Sequence, residues 1–529
     1  MNERDSEQVA RMFVEGGYTL TGEEQEADAI LVNTCSVRDQ AEQKALGKMG
    51  MMGKYREKRS HVVYGFMGCM AQSRGEELFD RIPHLDLVVG TQKYHRVFDY
   101  VDGILRQRME GRMDEVGAEM TSLRVEEELT KGRFVDRGEE EGSQNTIRDH
   151  VASGTRQASA FVSIMQGCNM RCSFCIVPDT RGKERGRPIT EVVEEVKRLA
   201  GQGTREVTLL GQIVNLYGRT EFARVDGKSP FVQLLEAVHE VDGIERIRFT
   251  SPHPIGYRAD LVKAFTYLPK LCSHIHFPMQ SGSDRILKAM RRPYRNEKFV
   301  AICESMKAAR PDLAITTDLN VGFPTETEED FQATVDCVKL LQFDNSFIFR
   351  YSKRKDTPAA EMEGQLPERV KEERNQELLR LQSEIAMRKN GALIGTRQEV
   401  LCAGPSKTNK ARLSGRTPQH KIVIFDGDAE RMTGEIFEVD IEDSTGFTLY
   451  GTACLEEAVA LGIPTVFALT TTPAFFERIG FSQAAVSSFP RKVWHECFRC
   501  PKYARCDEIA VSIDLRDRQS LDPHGQPLP

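Results

Sequence analysis

Apolar residues in the first hundred positions alternate between helical and strand spacing. A helix is predicted over 6–16. Short apolar runs predict three strands, at 29–32, 61–66 and 85–89. This alternation is typical of a small α/β layer, in which loops at the carboxyl ends of the strands bind ligands. Cys35 and Cys69 follow two of these predicted strands.

A strand-then-helix pattern repeats through the middle of the chain. The predicted strands cover 161–165, 206–210, 246–250, 274–279, 314–321 and 346–351. Helical apolar spacing follows the strands, most clearly over 190–201. Six parallel strands with covering helices indicate an incomplete (β/α) barrel.

The remaining segments differ in character. Residues 107–157 are rich in Glu, Arg and Gly with little apolar periodicity, which predicts a charged linker. A charged helix over 367–390 is followed by short strand patterns up to 452, which indicate a small β-barrel. The last stretch, 453–529, has a helix pattern, one apolar strand and a cysteine-bearing tail.

Composition narrows the class of protein. The 529 residues are 40% hydrophobic and 29% charged, as in folded multidomain proteins. We expect a cytoplasmic protein without membrane association, because no run of 18 apolar residues occurs and the start is polar. The 13 cysteines then favour metal ligation or catalysis over disulfides. With a net charge of −7, any nucleic-acid binding needs a local basic patch.

The strongest chemical signal is the spacing of Cys168, Cys172 and Cys175 directly after the first predicted barrel strand. Three such thiolates can hold three corners of a [4Fe–4S] cluster and leave one iron open. An open iron can chelate the amino and carboxylate groups of S-adenosylmethionine, and an electron from the cluster then releases a 5′-deoxyadenosyl radical. Phe174 would shield the cluster or lie against this cofactor. The alternative is a zinc site or buried structural cysteines, although zinc usually takes a fourth ligand.

The stretch GCNMRCSFCIVPDTRGKERGRP at 167–188 closely resembles the methylthiotransferase family of radical S-adenosylmethionine enzymes. Further stretches resemble the same family: NTCSVR at 33–38, GCMAQ at 68–72, LLGQIVN at 209–215, RIRFT at 246–250, PMQSGSD at 278–284 and VGFP at 321–324. The resemblance covers about residues 1–452. The stretches 176–188 and 317–324 favour the branch that acts on isopentenyl-modified adenosine in tRNA. Asp179 departs from the tyrosine that is usual in the family.

The resemblance implies an α/β protein with five segments. They are an N-terminal α/β methylthiotransferase domain (1–106), the charged linker (107–157), a partial (β/α)6 TIM-like radical SAM barrel (158–390), a small β-barrel TRAM RNA-binding domain (391–452) and an α/β C-terminal fragment (453–529). The fragment resembles part of a GNAT N-acetyltransferase, and we expect it to be a remnant without acetyltransferase activity. A zinc site at Cys497, Cys500 and Cys506 is a weaker alternative use of this tail.

The resemblance also implies a second, auxiliary [4Fe–4S] cluster that carries the sulfur for the substrate. Cys35 and Cys69 match two of its three ligands. The third belongs to a Gly-Cys-Gln-Met-Asn pattern, and the chain opens at Met1-Asn2. We expect a misassigned start rather than a truncated chain with an impaired cluster, because residues 2–16 continue the family pattern. Without this context, the alternative is that Cys35 is a buried structural cysteine.

Polar residues after the second barrel strand are further candidates for the cofactor site. Gln212 and Asn215 could hydrogen-bond the amino group or ribose of S-adenosylmethionine, or belong to a structural turn. Basic residues of the predicted β-barrel form a candidate RNA patch: Arg397, Lys407, Lys410, Arg412, Arg416 and Lys421. A patch of this kind attracts phosphates without reading sequence, and a solvated charged face is the alternative.

These observations lead to one expected function and four alternatives. We expect methylthiolation of carbon 2 of isopentenyladenosine beside the tRNA anticodon, with two S-adenosylmethionine molecules and two clusters. The alternatives are methylthiolation of threonylcarbamoyl-adenosine, methylthiolation of a ribosomal-protein aspartate, a non-catalytic tRNA-binding remnant, and acetyl transfer by the tail. The expected partners are tRNA and an electron donor such as flavodoxin or ferredoxin, and the expected oligomeric state is a monomer.

Overall fold

The computed structural model describes residues 2–34, 39–110, 133–138, 157–453, 465–470, 481–485 and 509–514. The chain divides into two compact units. The first contains residues 1–155 and 160–382, and the second contains 156–159 and 383–529.

The N-terminal part of the first unit is a four-stranded parallel sheet with helices. Its strands are β1 (Ala29–Thr34), β2 (Val63–Gly68), β3 (Leu87–Val89) and β4 (Phe134–Asp136), in that order. Its helices are α1 (Asn2–Glu15), α2 (Asp39–Met52), α3 (Lys54–Lys58), α4 (Cys69–Arg74), α5 (Glu77–Arg81) and α6 (Val97–Glu110). Strand β2 is buried along its whole length, because Tyr64 and Phe66 face one apolar cluster while Val63 and Met67 face the other. Such burial on both faces is normal for the inner strands of a parallel sheet.

Strand β4 differs from the sequence interpretation, which placed these residues in a charged linker. Phe134 is buried in the same cluster as Leu87 and Val89, and β4 pairs in parallel with β3. Only three residues take part, within a charged stretch, so no alternating pattern is long enough to indicate a strand.

The rest of the first unit is the partial barrel. Its strands form two three-stranded sheets. One contains β5 (Ser159–Ser163), β8 (Glu206–Leu210) and β9 (Arg246–Phe249), and the other contains β10 (His274–His276), β11 (Ala314–Val321) and β12 (Asn345–Arg350). An isolated parallel bridge between Ile247 and Leu271 joins β9 to the segment that leads into β10. The six predicted strands and the barrel class are confirmed.

The first predicted barrel strand is divided in two. After β5, the chain turns into β6 (Met165–Gln166), which pairs antiparallel with β7 (Arg185–Gly186). Ile164 lies at the division: its N–H donates to Leu210 of β8, and its carbonyl accepts from Arg187. The short β6–β7 hairpin therefore begins and ends the segment that contains the three cysteines.

The helices of this region lie between the strands. They are α7 (Val177–Arg181), α8 (Ile189–Gly201), α9 (Pro230–His239), α10 (Ala259–Tyr267), α11 (Asp284–Ala289), α12 (Asn296–Ala309) and α13 (Glu328–Leu341). Helix α14 (Glu368–Gly391) follows β12 and runs into the second unit.

The second unit contains a closed five-stranded barrel in the order β13-β14-β15-β17-β16. Its elements are β13 (Arg397–Pro405), β14 (Leu413–Arg416), β15 (Ile422–Asp426), α15 (Ala429–Met432), β16 (Ile436–Ser444) and β17 (Thr448–Ala453). The predicted small β-barrel is confirmed, but β14 was not predicted. Its four residues present two inward positions, Leu413 and Gly415, and a glycine adds no apolar side chain to the pattern.

The described residues beyond the barrel form an antiparallel sheet of β18 (Thr465–Thr470), β20 (Ile509–Asp514) and β19 (Ser482–Gln483). Cys497, Cys500 and Cys506 lie outside the described residues, and the acetyltransferase-like interpretation stays a prediction. Among the helices that the structure describes, none has the length and apolar character needed to cross a bilayer.

Candidate metal centre

The cysteine segment starts at a glycine that no other residue could replace without a shift. Gly167 has φ +81°, and a Cβ on it would overlap the carbonyl oxygen of Lys183. Its N–H donates to Oε1 of Gln212 at 2.6 Å, and the N–H of Cys168 donates to the carbonyl of Gly182 at 3.0 Å. Gln212, a predicted cofactor ligand, therefore holds the backbone beside Cys168.

The three predicted cluster ligands lie on one loop, and Cys175 and Cys172 are near enough to Cys168 for their charges to act on it. Cys172 is buried, and Cys168 and Cys175 are partly exposed. The loop is anchored at Ser173, whose hydroxyl donates to the carbonyl of Ala289 at 2.9 Å. Burial, with smaller contributions from the neighbouring thiols of Cys175 and Cys172, raises the pKa of Cys168 to about 12.

This donor set fits an iron–sulfur cluster. Burial raises the pKa of the Cys168 and Cys175 thiols, and bound iron would favour their thiolate form because metal ligation requires it. Soft thiolate ligands select iron–sulfur clusters, copper(I) or zinc over hard cations. Within the described residues, no group of three or more His, Cys, Asp and Glu side chains is arranged to hold a metal ion. Cysteines at three corners of a cubane each bind a different iron, so they need not converge on one point.

Phe174 and Arg292 lie beside the cysteines. The guanidinium carbon of Arg292 is 5.7 Å from the centroid of the Phe174 ring, which also contacts Phe323 edge-on at 6.4 Å. Burial lowers the pKa of Arg292, but Tyr294 and the three cysteines outweigh this effect and keep that pKa above its ordinary value. Phe174 thus packs against Phe323 of the Val-Gly-Phe-Pro segment noted in the sequence, and the half-buried guanidinium of Arg292 lies beside the cysteine loop.

Asn215 clamps a neighbouring loop in this structure. Its amide N–H donates to the carbonyl of His253 at 2.8 Å, and its Oδ1 accepts from the N–H of His253 at 2.8 Å. Both ends of the amide are thereby used to join the loop after β8 to the loop after β9. The predicted role of Asn215 in cofactor binding stays a prediction.

Sequence reasoning missed His253 and Arg292. His253 follows a barrel strand, as Gln212 and Asn215 do, so the rule that selected those residues could have found it. Arg292 follows a helix, and only tertiary packing brings it to the cysteines. No local pattern in the sequence signals that position.

Thr34 and Gly68, which directly precede the predicted auxiliary ligands Cys35 and Cys69, end two adjacent strands. Thr34 of β1 pairs with Gly68 of β2, so the positions directly before Cys35 and Cys69 are side by side. Cys69 is buried at the start of α4, and Cys35 lies outside the described residues. Gly68 has φ +97°, and a Cβ there would overlap Oδ1 of Asn33.

Several buried polar atoms without hydrogen-bond partners belong to residues near Gly68 and Cys69. They include Oδ1 of Asn33, Oγ1 of Thr34 and Nη1 of Arg181. Arg181 belongs to α7, which packs against α4, and its Nη2 donates to Asp5 of α1 at 2.7 Å. Buried polar atoms normally have hydrogen-bond partners, so unpartnered ones beside a buried cysteine indicate a place where another group binds.

The six predicted RNA-binding residues all lie on the closed barrel, but several are engaged within it. Arg397 pairs with Asp440 at 3.2 Å and Arg412 pairs with Asp426 at 2.9 Å. Lys421 donates to Oδ1 of Asn390 at 2.8 Å, and Arg416 contacts His420. Lys407 and Lys410 are exposed in the segment between β13 and β14.

Three family models match the chain in order. Uncharacterized protein family UPF0004 matches residues 1–90, the Radical SAM superfamily matches 162–338 and the TRAM domain matches 391–454. Together with the cysteine loop on the partial barrel, these matches define the class of protein as a radical S-adenosylmethionine enzyme.

Curated relatives identify the family within that class. The chain is 66% identical over 454 residues to the tRNA-2-methylthio-N(6)-dimethylallyladenosine synthase of Akkermansia muciniphila, across 86% of this chain and 96% of the relative. The synthase of Opitutus terrae is 47% identical, across 85% of this chain and 95% of the relative. The synthase of Methylacidiphilum infernorum is 48% identical, across 85% of this chain and 92% of the relative. The chain belongs to the tRNA-2-methylthio-N(6)-dimethylallyladenosine synthase family. Membership implies [4Fe–4S] clusters and S-adenosylmethionine as cofactors.

Proposed function

We propose that this chain adds a methylthio group to carbon 2 of isopentenyladenosine beside the anticodon of tRNA. The observation that carries the proposal is the 66% identity to a named synthase over 96% of that protein's length. Threonylcarbamoyl-adenosine is disfavoured as the substrate, because the names of all three compared relatives specify dimethylallyladenosine. We also propose a cytoplasmic location, a flavodoxin or ferredoxin as electron donor, and a monomeric state.

Cys168, Cys172 and Cys175 would hold the radical-forming cluster, with the fourth iron open to S-adenosylmethionine. When bound, this cluster supplies the electron that cleaves the cofactor. Gly167 and Gln212 fix the backbone at the start of the cysteine loop, while Phe174 covers it with an apolar ring. Exclusion of water around such a loop protects a radical from side reactions.

Cys35 and Cys69 would belong to the auxiliary cluster that supplies sulfur. The packing of α4 against α7 supports this assignment, because α7 begins two residues after Cys175 and α4 begins with Cys69. Sulfur transfer to a substrate in the barrel needs the two sites to be neighbours.

The experiment is anaerobic reconstitution of the protein followed by reaction with tRNA that carries isopentenyladenosine. We expect the methylthio nucleoside by mass spectrometry of the digested tRNA, and none from matched tRNA that carries threonylcarbamoyl-adenosine. Methylthiolation of the second tRNA but not the first would contradict the proposal.

Cysteine variants separate the two clusters. Cys168→Ala should abolish 5′-deoxyadenosine formation and remove about four irons per chain. Cys69→Ala should retain 5′-deoxyadenosine formation but lose the methylthio product. Cys337→Ala, a buried cysteine of α13 outside both sites, is the matched control and should retain both activities.

A further inference from the structure

Three segments that meet at the cysteine loop carry a concentration of positive charge, and we call them the basic surface. They are the loop itself (168–175), residues 287–295 at the end of α11, and residues 352–356 after β12. Together they hold eight Arg and Lys side chains and a single carboxylate, that of Asp356. The chain as a whole has a net charge of −7, so this excess is local.

Hydrogen bonds fasten both neighbouring segments to Ser173 of the loop. The N–H of Ser173 donates to the carbonyl of Met290 at 3.1 Å, and its hydroxyl donates to the carbonyl of Ala289 at 2.9 Å. The carbonyl of Ser173 accepts from the N–H of Ala359, three residues beyond the 352–356 segment, at 2.8 Å. The backbone therefore holds the three segments of the basic surface side by side.

One cation from each neighbouring segment acts on the same cysteine. Burial raises the pKa of the Cys175 thiol, and the positive charges of Arg292 and Arg354 both oppose this rise. Charges act over this range only when they lie close, so the basic surface surrounds a predicted cluster ligand. Cys168 and Cys175 are themselves partly exposed. A cluster held by these residues would thus lie near the basic surface.

Most of this charge is open to solvent. Arg171, Lys288, Arg291 and Lys353 are exposed, and no carboxylate within the described part of the chain pairs with any of the four. Lys355 differs, because it pairs with Glu77 at 2.5 Å. Exposed charges of one sign raise the rate at which a partner of the opposite sign is captured.

We propose that the basic surface docks the electron donor, and that this donor is a small acidic protein with a flavin or an iron–sulfur centre. The donor is oxidised by one electron and the cluster at Cys168, Cys172 and Cys175 is reduced by it, which matches the single electron that cleavage of S-adenosylmethionine consumes. The exposed edge of the cysteine loop permits the close approach that electron transfer between two centres requires. The inference deepens the proposed function, because it rests on the radical-forming cluster and names the surface and the chemistry of one partner.

The character of the basic surface fits a redox partner better than tRNA. Complexes that transfer electrons bury little area, and opposite charge supplies their speed of encounter. Such a complex needs exposed, unpaired charges beside the electron acceptor rather than an apolar groove. The tRNA is also a polyanion, but its candidate contacts Lys407 and Lys410 lie between β13 and β14 of the closed barrel.

The test measures 5′-deoxyadenosine formation by the cluster-loaded protein with S-adenosylmethionine and without tRNA. Reduced flavodoxin is supplied in the range where the rate is proportional to its concentration. Lys288→Glu combined with Arg291→Glu should lower this rate by about tenfold or more at low salt, the size of electrostatic steering. The difference should shrink at high salt, because salt screens exposed charges. Reduced methyl viologen is a small cation that needs no docking surface, and it should support the same rate in both proteins to within about twofold.

Lys339→Glu is the matched control for a single charge reversal. Helix α13 starts after the carboxyl end of β11, and exposed Lys339 lies in its last turn, at the end of the barrel away from the cysteine loop. This variant should leave the rate with flavodoxin unchanged. Lys288→Glu alone and Arg291→Glu alone should each lower the rate by less than the double variant does.

Several results would overturn the inference. One is an unchanged rate with flavodoxin in the double variant. Another is an equal fall with methyl viologen, which would assign the two side chains to the cluster itself. A third is a loss of tRNA affinity without a change in the flavodoxin rate, which would assign the surface to tRNA.

A separate pair of variants covers the case in which the double variant fails to load iron. Lys288→Gln and Arg291→Gln each remove one charge without adding another, and the comparison of the two reductants then decides in the same way. Failure of the proposed function appears separately, as intact flavodoxin-dependent formation of 5′-deoxyadenosine without a methylthio product when tRNA is added.

Discussion

The buried ion pair between Arg181 and Asp5 joins α7, which follows the cysteine loop, to α1 at the start of the chain. The side chains are 3% and 8% exposed, and Arg181 also donates to Oδ1 of Asn2 at 3.2 Å. Removing one partner of such a pair leaves an uncompensated buried charge and costs about 3–5 kcal/mol. Asp5→Asn keeps the volume and removes only the charge, so it isolates this effect.

The expected magnitude can be read from hydrogen exchange of the α1 amides. Because about 1.4 kcal/mol is a factor of ten, a loss of 3–5 kcal/mol speeds exchange by roughly a hundredfold to several thousandfold. Exchange is suited to this question because it reports on one helix, whereas a protein with several domains need not unfold in a single step.

Two further variants control the measurement. Arg11→Ala breaks the exposed pair with Glu15 on the same helix, which is worth only about 0.3–0.5 kcal/mol, and should accelerate exchange by less than about threefold. The double variant Asp5→Leu with Arg181→Met replaces the pair by apolar side chains and should exchange more slowly than Asp5→Asn. Acceleration by Asp5→Asn that does not exceed that of Arg11→Ala would refute the assignment of this pair as a major link.

Three other predictions follow from the geometry. Gly167→Ala should lose about four irons per chain on reconstitution, because the positive φ of Gly167 and its contact with Lys183 leave no room for a Cβ. Gly201→Ala is the control and should load iron normally, since a Cβ at Gly201 would meet open space. Equal iron contents in the two variants would contradict the prediction. Lys407→Ala and Lys410→Ala should each reduce the slope of log affinity for tRNA against log salt concentration by about one. Arg397→Ala should change this slope less, because Arg397 is already paired with Asp440. Equal slopes in all three variants would contradict the assignment of Lys407 and Lys410 to an RNA-binding patch. Burial raises the pKa of Asp330, but bonds from Arg285, Ser283 and Thr327 outweigh it and hold that pKa well below its ordinary value. Thermal melts should therefore show the wild type to be more stable than Asp330→Asn by a constant margin above about pH 5, and this margin should shrink as the pH falls. A margin that grows on acidification would contradict the lowered pKa of Asp330.

The main features of the fold could be predicted because they depend on repeated local patterns. The strands of the barrel are apolar runs bounded by turns, and the cysteines of the loop follow the first of them. The spacing of the three cysteines within eight residues was therefore enough to propose the radical-forming cluster. The short strands Phe134–Asp136 and Leu413–Arg416 could not be predicted, because three or four residues hold too little periodicity.

The surroundings of the candidate site depended on tertiary packing. Arg181 lies within the recognised stretch, yet its pairing with Asp5 joins residues 176 positions apart. Gln212 and Asn215 follow a barrel strand, as the sequence predicts, and their hydrogen bonds go to Gly167 and His253. A sequence shows which residues follow a strand, whereas the three-dimensional packing decides which neighbour each one bonds.

The placement of β4 on the N-terminal sheet has a consequence for how members of this family can vary in length. Helix α6 ends at Glu110 and β4 begins at Phe134, next to Leu87 of β3, and both elements belong to that part of the protein. An insertion or deletion between Glu110 and Phe134 therefore starts and finishes on the same scaffold. Lengthening a chain segment between two fixed ends costs little additional entropy. Evolution can lengthen or shorten this part of the sequence while Cys69 and the distant cysteine loop keep their positions.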